Sequence, residues 1–456
     1  LKYIHNQMEN NISFPKEEVY KLFEITDEMA INGDELVKDF TENFSELLNN
    51  TWERFHRNYP TVKQIGLEAL EQFLIQKTEV IRSEILSKYL LSENLHVLMS
   101  NGCSIYAGSK AINQTDESKC KTLLRNAQFQ DEPQITDIIQ KLVDEKPEVA
   151  LDRLYEIKMY CANVLKKEQS SHWIDDLIIQ YKNSFIEEFV NTIDYRKNHL
   201  HKLFLKRLLA RSIKLKRVNL FTLNYDLLIE KSAEEMGISL NNGFSGFHYR
   251  VFMPSIFHQD FHINNSDGNK SQTKSMNLFK LHGSLSWRFD DSKPPYGITE
   301  QQYDFAENGD MKTILPECII YPVQSKKKHS LDLPYSEMFR QFIEFVNKPS
   351  STLLIMGYSF LDEHVNDILT NALTNPSFNM IVFSYLDENS PYISEYQKRL
   401  FERSREDSRI IIFSGNILGN FEYIVKFLIP YADDTNFDAV LFNTYKNLKG
   451  DHSHVK

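Results

Sequence analysis

Cysteine is scarce in this 456-residue chain: four residues, at 103, 120, 161 and 318, with no Cys-x-x-Cys pair. That excludes a zinc ribbon, argues against a disulfide scaffold, and fits a reducing compartment. Long apolar runs are missing as well. No segment approaches the roughly 18 apolar residues of a membrane span, and the N-terminus carries nothing like a signal segment. A cytoplasmic protein with no membrane association is the expectation, and Leu1 in place of Met suggests a start downstream of the natural beginning. There is no Gly-x-x-x-x-Gly-Lys-Ser/Thr loop, which removes a P-loop ATPase. Neither an internal repeat nor a carboxylate cluster of metal-site character occurs, so no metal site is expected and nuclease chemistry has no support. Positive charge is also in deficit. The net charge of −11 excludes a generally sticky nucleic-acid coat.

What basic character exists is local. Arg196, Lys197, Lys202, Lys206, Arg207, Arg211, Lys214, Lys216 and Arg217 fall in one stretch without an acid among them. Leu200, Leu203, Phe204, Leu208 and Leu215 give that stretch an apolar face. Contact with nucleic acid or an acidic partner is one reading. A solvated cationic helix face covering a sheet is the favoured one.

The remaining composition, 41% hydrophobic and 25% charged, is that of an ordinary globular protein with ample core. Residues 1–90 read as a helical N-terminal region for assembly or partner contact, with three-to-four-residue apolar spacing at 17–23 and 66–75. Residues 91–430 read as one α/β domain and residues 431–456 as a tail. Within the domain, apolar strands are expected at 95–99, 218–222, 276–281, 318–321, 352–356, 380–385 and 409–413. Helical patterns at 335–346 and 362–372 lie between them. This alternation predicts a doubly wound, Rossmann-like parallel sheet with helices on both faces. The gap between the first two strands is far longer than one crossover helix needs. Residues 110–215 are therefore read as a helical insertion, with Ile135, Ile138, Ile139, Leu142 and Val143 on one apolar face. The polar segment 262–272 reads as a mobile loop.

Four strand ends share one design. Val97-Leu98-Met99 breaks into Ser100-Asn101-Gly102-Cys103-Ser104, and Leu220-Phe221 into Thr222-Leu223-Asn224-Tyr225-Asp226. Leu278-Phe279 leads to Lys280-Leu281-His282-Gly283-Ser284, and Ile355-Met356 to Gly357-Tyr358-Ser359-Phe360. Carboxyl ends of adjacent strands in an open α/β sheet converge on one ligand crevice. Taken singly, each motif has a plainer reading. His282 could close a turn, and Asp226 could cap the helix that follows.

Together, in this order, the motifs resemble the sirtuin family over roughly residues 92–430. The forms Asn-Tyr-Asp, Lys-Leu-His-Gly-Ser and Gly-Tyr-Ser-Phe look most like the sirtuin-like NAD-degrading enzymes of bacterial anti-phage defence. The resemblance implies an NAD+ hydrolase that breaks the nicotinamide–ribose bond, with NAD as substrate and no zinc. It implies His282 as acid–base group, Asn224 as the group positioning water or a ribose hydroxyl, and Asp226 as orienting nicotinamide or balancing positive charge. Gly102 and Ser104 would face the pyrophosphate, while Gly283, Gly357 and Ser359 would face ribose. Asp362 would contact ribose or cap the next helix, and Asp387 would hold the adenosine ribose. Cys103 is read as a small filler. Ser100 stands where the family carries its first loop glycine, and the family's Gly-Ile-Pro-Asp-Phe-Arg segment is missing. The same resemblance implies a homo-oligomer and a HerA-type hexameric ATPase partner, with nucleic acid met only through that complex. The alternative from another class is an NAD- or ADP-ribose-binding regulatory subunit that turns nothing over.

Overall fold

The computed structural model describes residues 80–110, 118–129, 132–145, 147–189, 192–211, 215–259, 262–264, 270–272, 275–301, 318–319, 333–415 and 418–430. The helical reading of 15–79 and the tail from 431 lie outside them. Seven strands form the central sheet: β1 (Asn94–Met99), β2 (Val218–Thr222), β3 (Ser239–Asn241), β4 (Ser275–Lys280), β5 (Ser351–Met356), β6 (Asn379–Ser384) and β7 (Ile410–Ser414). Their order across the sheet is β7-β6-β5-β1-β2-β4-β3, and every neighbouring pair is parallel. The chain thus builds outward from β1 on one side, then returns to lay β5 on its other side. Such a reversal opens a crevice at the carboxyl ends of β1 and its neighbours.

Both faces of the sheet are covered, which is why its central strands carry apolar residues at successive positions, as in Val97-Leu98-Met99 and Leu220-Phe221, rather than alternating ones. One face carries Leu98, Phe221, Phe279, Ile355 and Val382. They pack under helices α7 (Tyr335–Val346), α8 (Glu363–Ala372) and α9 (Glu395–Glu406). The other face carries Val97, Met99, Leu220, Leu278 and Leu354, under α5 (His199–Leu209) and α6 (Leu228–Glu235).

Between β1 and β2 lie α1 (Lys119–Arg125), α2 (Pro133–Lys141), α3 (Pro147–Asn163) and α4 (Glu168–Phe189). They form a third apolar core that also includes Leu227, Leu228 and Leu285. This helical insertion is therefore packed against the residues that flank Asp226 and follow His282. Ile135, Ile139, Leu142 and Val143 are buried in it as expected from their spacing, whereas Ile138 is half exposed.

Several short elements differ from expectation. Cys318-Ile319 is not a strand of the parallel sheet: Ile319 forms an isolated antiparallel bridge with Gly283. The polar segment expected as a loop contains an antiparallel ladder, His262–Asn264 against Lys270–Gln272, because backbone pairing needs no apolar pattern. A small antiparallel sheet, built from 244–245, 250–252, 287–289 and 298–300, has no counterpart among the expected strands.

The basic stretch is largely absorbed by packing. Arg196 pairs with Asp194, Lys202 with Glu235 and Lys216 with Glu93. Arg207 donates to the carbonyls of Lys426 and Ile429, and Arg211 to those of Leu90 and Ser92. Among the described residues, no helix is long and apolar enough to cross a membrane.

Candidate active site

The ladder between β1, β2 and β4 runs one residue past the strands: Leu223 N donates to Met99 O (3.1 Å) and Leu281 N to Thr222 O (2.9 Å). The three chains then part, and the polar residues of the motifs follow at once. Asn224 and Asp226 come off β2, His282 off β4, and Ser104 from the short turns after β1.

Ser104 is fully buried and sits at the middle of one cluster. Its hydroxyl donates to Asp226 Oδ2 (2.9 Å) and accepts from Asn224 Nδ2 (3.0 Å). The amide plane of Asn224 is thereby pinned, and its backbone N–H is held by Thr222 Oγ1 (3.1 Å). Asp226 is bonded at both oxygens: Oδ1 accepts from Leu228 N (3.0 Å) in an Asx-type turn leading into α6, while Oδ2 accepts from Ser104. A carboxylate with two partners of this kind is held in one rotamer.

Below this cluster lies a buried ion pair. Lys280, 1% exposed, closes β4 and turns its ammonium toward the β2 loop. It donates to Tyr225 O (3.1 Å), to Asp226 O, and to Glu230 Oε1 (2.8 Å) on α6. All three ammonium protons have acceptors, as burial of a charge requires. Burial pushes the Glu230 carboxyl above its usual range, and the Lys280 charge opposes that rise. One side chain thus fixes the Asn224–Asp226 loop against the strand that carries His282 two residues later. The sequence signal was available in principle: a lysine directly after the apolar pair Leu278-Phe279 at the end of a strand.

His282 is 5% exposed, and its Nε2 lies 3.1 Å from Asp362 Oδ2. The ring is flanked by Tyr225 and Phe339, with centroids at 6.5 and 6.3 Å. Asp362 is the N-cap of α8, its Oδ1 accepting from His364 N (3.1 Å) and Val365 N (3.2 Å). The loop that delivers it is tied down by Tyr358, whose hydroxyl donates to Asp362 O (3.1 Å) and Asn366 Oδ1 (3.0 Å). Of the two roles open to Asp362 from sequence, the cap is present, and the partner at its other oxygen is His282.

The glycines have a reason that the motifs alone did not give. Gly102 N donates to Gly357 O (3.0 Å), and a Cβ on Gly102 would stand 2.6 Å from Gly357 Cα. Gly357 has φ +65° and would itself meet Cys103 N at 2.6 Å. The two loops on either side of the crevice therefore touch backbone to backbone. Gly283 has φ +87°, and a Cβ there would run into Cys318 O at 2.0 Å. Cys103 is buried, its Sγ directed to Met356 O (3.5 Å), and burial raises its thiol far above the ordinary range. Its side chain is packed in the apolar core on the α5–α6 side of the sheet.

Ser359 is exposed at the crevice loop. Asp387 stands apart from these groups on the loop after β6, where Oδ1 accepts from Asn389 N (2.8 Å) in a local turn. The motif residues thus form three contacts, Ser104–Asn224–Asp226, His282–Asp362 and Gly102–Gly357, with Asp387 outside them. Among the described residues, no three of His, Cys, Asp and Glu are grouped to hold a metal ion.

Residues 218–408, which include Asn224, Asp226, His282, Gly357 and Asp362, match the family described as a SIR2-like domain. A search of curated proteins gives no match. Among solved structures, a Sir2 homolog in complex with NAD aligns at TM-score 0.37 and 12% identity, covering 77% of this chain and 93% of that one. A Sir2 homologue mutant with 2′-O-acetyl ADP ribose aligns at TM-score 0.37 and 11% identity, covering 78% and 98%. A Sir2–p53 peptide–NAD+ structure aligns at TM-score 0.35 and 10% identity, covering 75% and 95%.

Proposed function

We propose that this protein is an NAD+ hydrolase acting at the carboxyl ends of β1, β2, β4 and β5. The observation that carries the reading is the set of oriented polar groups at these strand ends, with Asn224, Asp226 and His282 inside the segment matching the SIR2-like domain. Cleavage breaks the C1′–N bond, and its electron pair leaves with nicotinamide. The resulting oxocarbenium-like carbon gains a bond to a water oxygen, that water loses a proton, and the products are nicotinamide and ADP-ribose. His282 is the group that takes the proton, a role open to an imidazole. Asn224, its amide pinned by Ser104, positions the water or a ribose hydroxyl. Asp226 has both oxygens in protein contacts, so it acts on the developing cation by its charge rather than as a proton carrier. Gly102 and Gly357 keep side chains out of the crevice floor, where the dinucleotide backbone would lie.

The cellular role proposed with this activity is depletion of NAD+ in anti-phage defence, by a cytoplasmic homo-oligomer regulated beside a HerA-type hexameric ATPase. Its support is the resemblance of the motifs.

The test is nicotinamide release from NAD+ by the purified full chain, alone and with its genomic neighbour, beside His282→Ala and Asn224→Ala. Turnover in the wild type and a loss of at least ~100-fold in both variants is expected, the range of a positioned acid–base group. Absence of turnover, with NAD or ADP-ribose still bound in calorimetry, would replace this reading with a nucleotide-binding regulatory subunit.

A further inference from the structure

The crevice reading leaves one buried carboxylate without a task in the chemistry. Asp362 and His282 are both about nine-tenths buried or more, and they come from different halves of the sheet, on α8 and after β4. We propose that Asp362 is a positioning residue for His282, holding the imidazole by its Nε2 side and fixing which ring nitrogen carries the proton. This inference rests on His282 being the acid–base group of the proposed reaction.

Three observations support it. The separation of Nε2 and Oδ2 is 3.1 Å, within ion-pair reach. Asp362 itself is not able to swing, because its other oxygen is committed to two N–H groups of α8 and its carbonyl to Tyr358. The ring of His282 has Tyr225 and Phe339 as aromatic neighbours, and only 5% of the residue is exposed. In a neutral imidazole only one nitrogen bears hydrogen, so a carboxylate at Nε2 selects the Nε2–H form and puts the basic lone pair on Nδ1. A base with its lone pair assigned in advance loses less on reaching the transition state than one that samples both tautomers.

Capping and positioning can be separated by substitution, since Asn and Ser cap helices about as well as Asp. Asp362→Asn and Asp362→Ser keep the oxygen that α8 needs and remove the carboxylate from His282. The expected result in both is a kcat lower by at least ~10-fold, with KM for NAD+ and melting temperature close to wild type. Wild-type kcat in a folded Asn or Ser variant would overturn the proposal, leaving a cap only. A raised KM with kcat unchanged would also overturn it, in favour of direct contact with ribose. A second readout needs no turnover: nitrogen NMR of the imidazole resonance that disappears in His282→Gln. The Nε2–H tautomer is expected to dominate in wild type and to give way to a mixture in Asp362→Asn. A mixed wild-type signal, or one that Asp362→Asn leaves unmoved, would sink the inference. The NMR result decides the pairing even if the protein proves not to cleave NAD+, in which case the hydrolase reading fails separately.

Discussion

The same strands carry buried polar groups at both ends, and the two ends are built on different terms. Toward the amino ends, His96, Asn219, Asn277 and Asn241 face one another across β1, β2, β4 and β3, each paired in register with the next. Asn219 Nδ2 reaches His96 Nδ1 (3.1 Å), Asn277 Nδ2 donates to Asn219 Oδ1 (2.8 Å), and Asn241 Nδ2 to Asn277 Oδ1 (3.2 Å). The row lies under α7, where the His96 ring meets Phe221 and Phe345. Its members bond to one another, with Ser351 Oγ beside His96 and Ile256 O accepting from Asn241 at the two ends, and a satisfied polar network of this kind specifies a unique core. At the carboxyl ends the strands part, so Asn224, Asp226 and His282 have no cross-strand twin. Their partners come from elsewhere: Ser104, Lys280 and Asp362. Asn219 and Asn224 are five residues apart in sequence, one inside β2 and the other just past its end. A buried asparagine is bonded across the ladder where register supplies a partner, and to a loop residue where the sheet opens.

The sharpest break of this division is at Lys280, which belongs to both stability and site. Lys280→Met leaves Glu230 buried without its cation and frees two carbonyls of the β2 loop. A loss of about 3–5 kcal/mol in unfolding free energy is expected, as for a buried pair broken on one side. Denaturant titration measures it, and nicotinamide release should fall with it. Next comes the polar row itself. Asn277→Leu removes the donor to Asn219 Oδ1, while Asn241 Nδ2 keeps Ile256 O; about 1–3 kcal/mol is expected for the oxygen left unpaired. It should leave KM for NAD+ unaltered, so a shifted KM would mean that the two ends of the sheet are not independent. The smallest effect is a pH dependence. Burial lowers His96 from 6.5 to about 3 and His201 to about 4. Both therefore bind protons more tightly in the unfolded chain, and stability falls as pH drops below about 6.5. His96→Gln should flatten the melting-temperature profile between pH 6 and 4, and an unchanged profile would count against burial as its origin.

Much of this arrangement is legible in the chain, for reasons tied to particular elements. The doubly wound sheet can be read because β1, β2, β4, β5 and β6 are covered on both faces and carry successive apolar residues such as Val97-Leu98-Met99 and Leu353-Leu354-Ile355-Met356. The edge strand Ser239–Asn241 and the small antiparallel sheet cannot, since two or three residues establish no period. The motifs point to Asn224, Asp226 and His282 as a group at adjacent strand ends, and the fold does set them there. What they do not disclose is which side chain holds which. Ser104 lies 122 residues from Asp226, and the pairing of His282 with Asp362 spans the reversal of strand order. From sequence, Gly102 makes room for phosphate, whereas its nearest neighbour is another stretch of backbone.

That contact between Gly102 and Gly357 has a consequence for how the molecule comes into being. β5 is the fifth strand of the sheet to leave the ribosome, yet it takes the place beside β1 at the centre. Until residue 357 has emerged, one wall of the crevice does not exist, although Asn224, Asp226 and His282 are already synthesised. A nascent chain is therefore without a complete crevice for most of its synthesis, and acquires it in a late step when the last central strand is inserted.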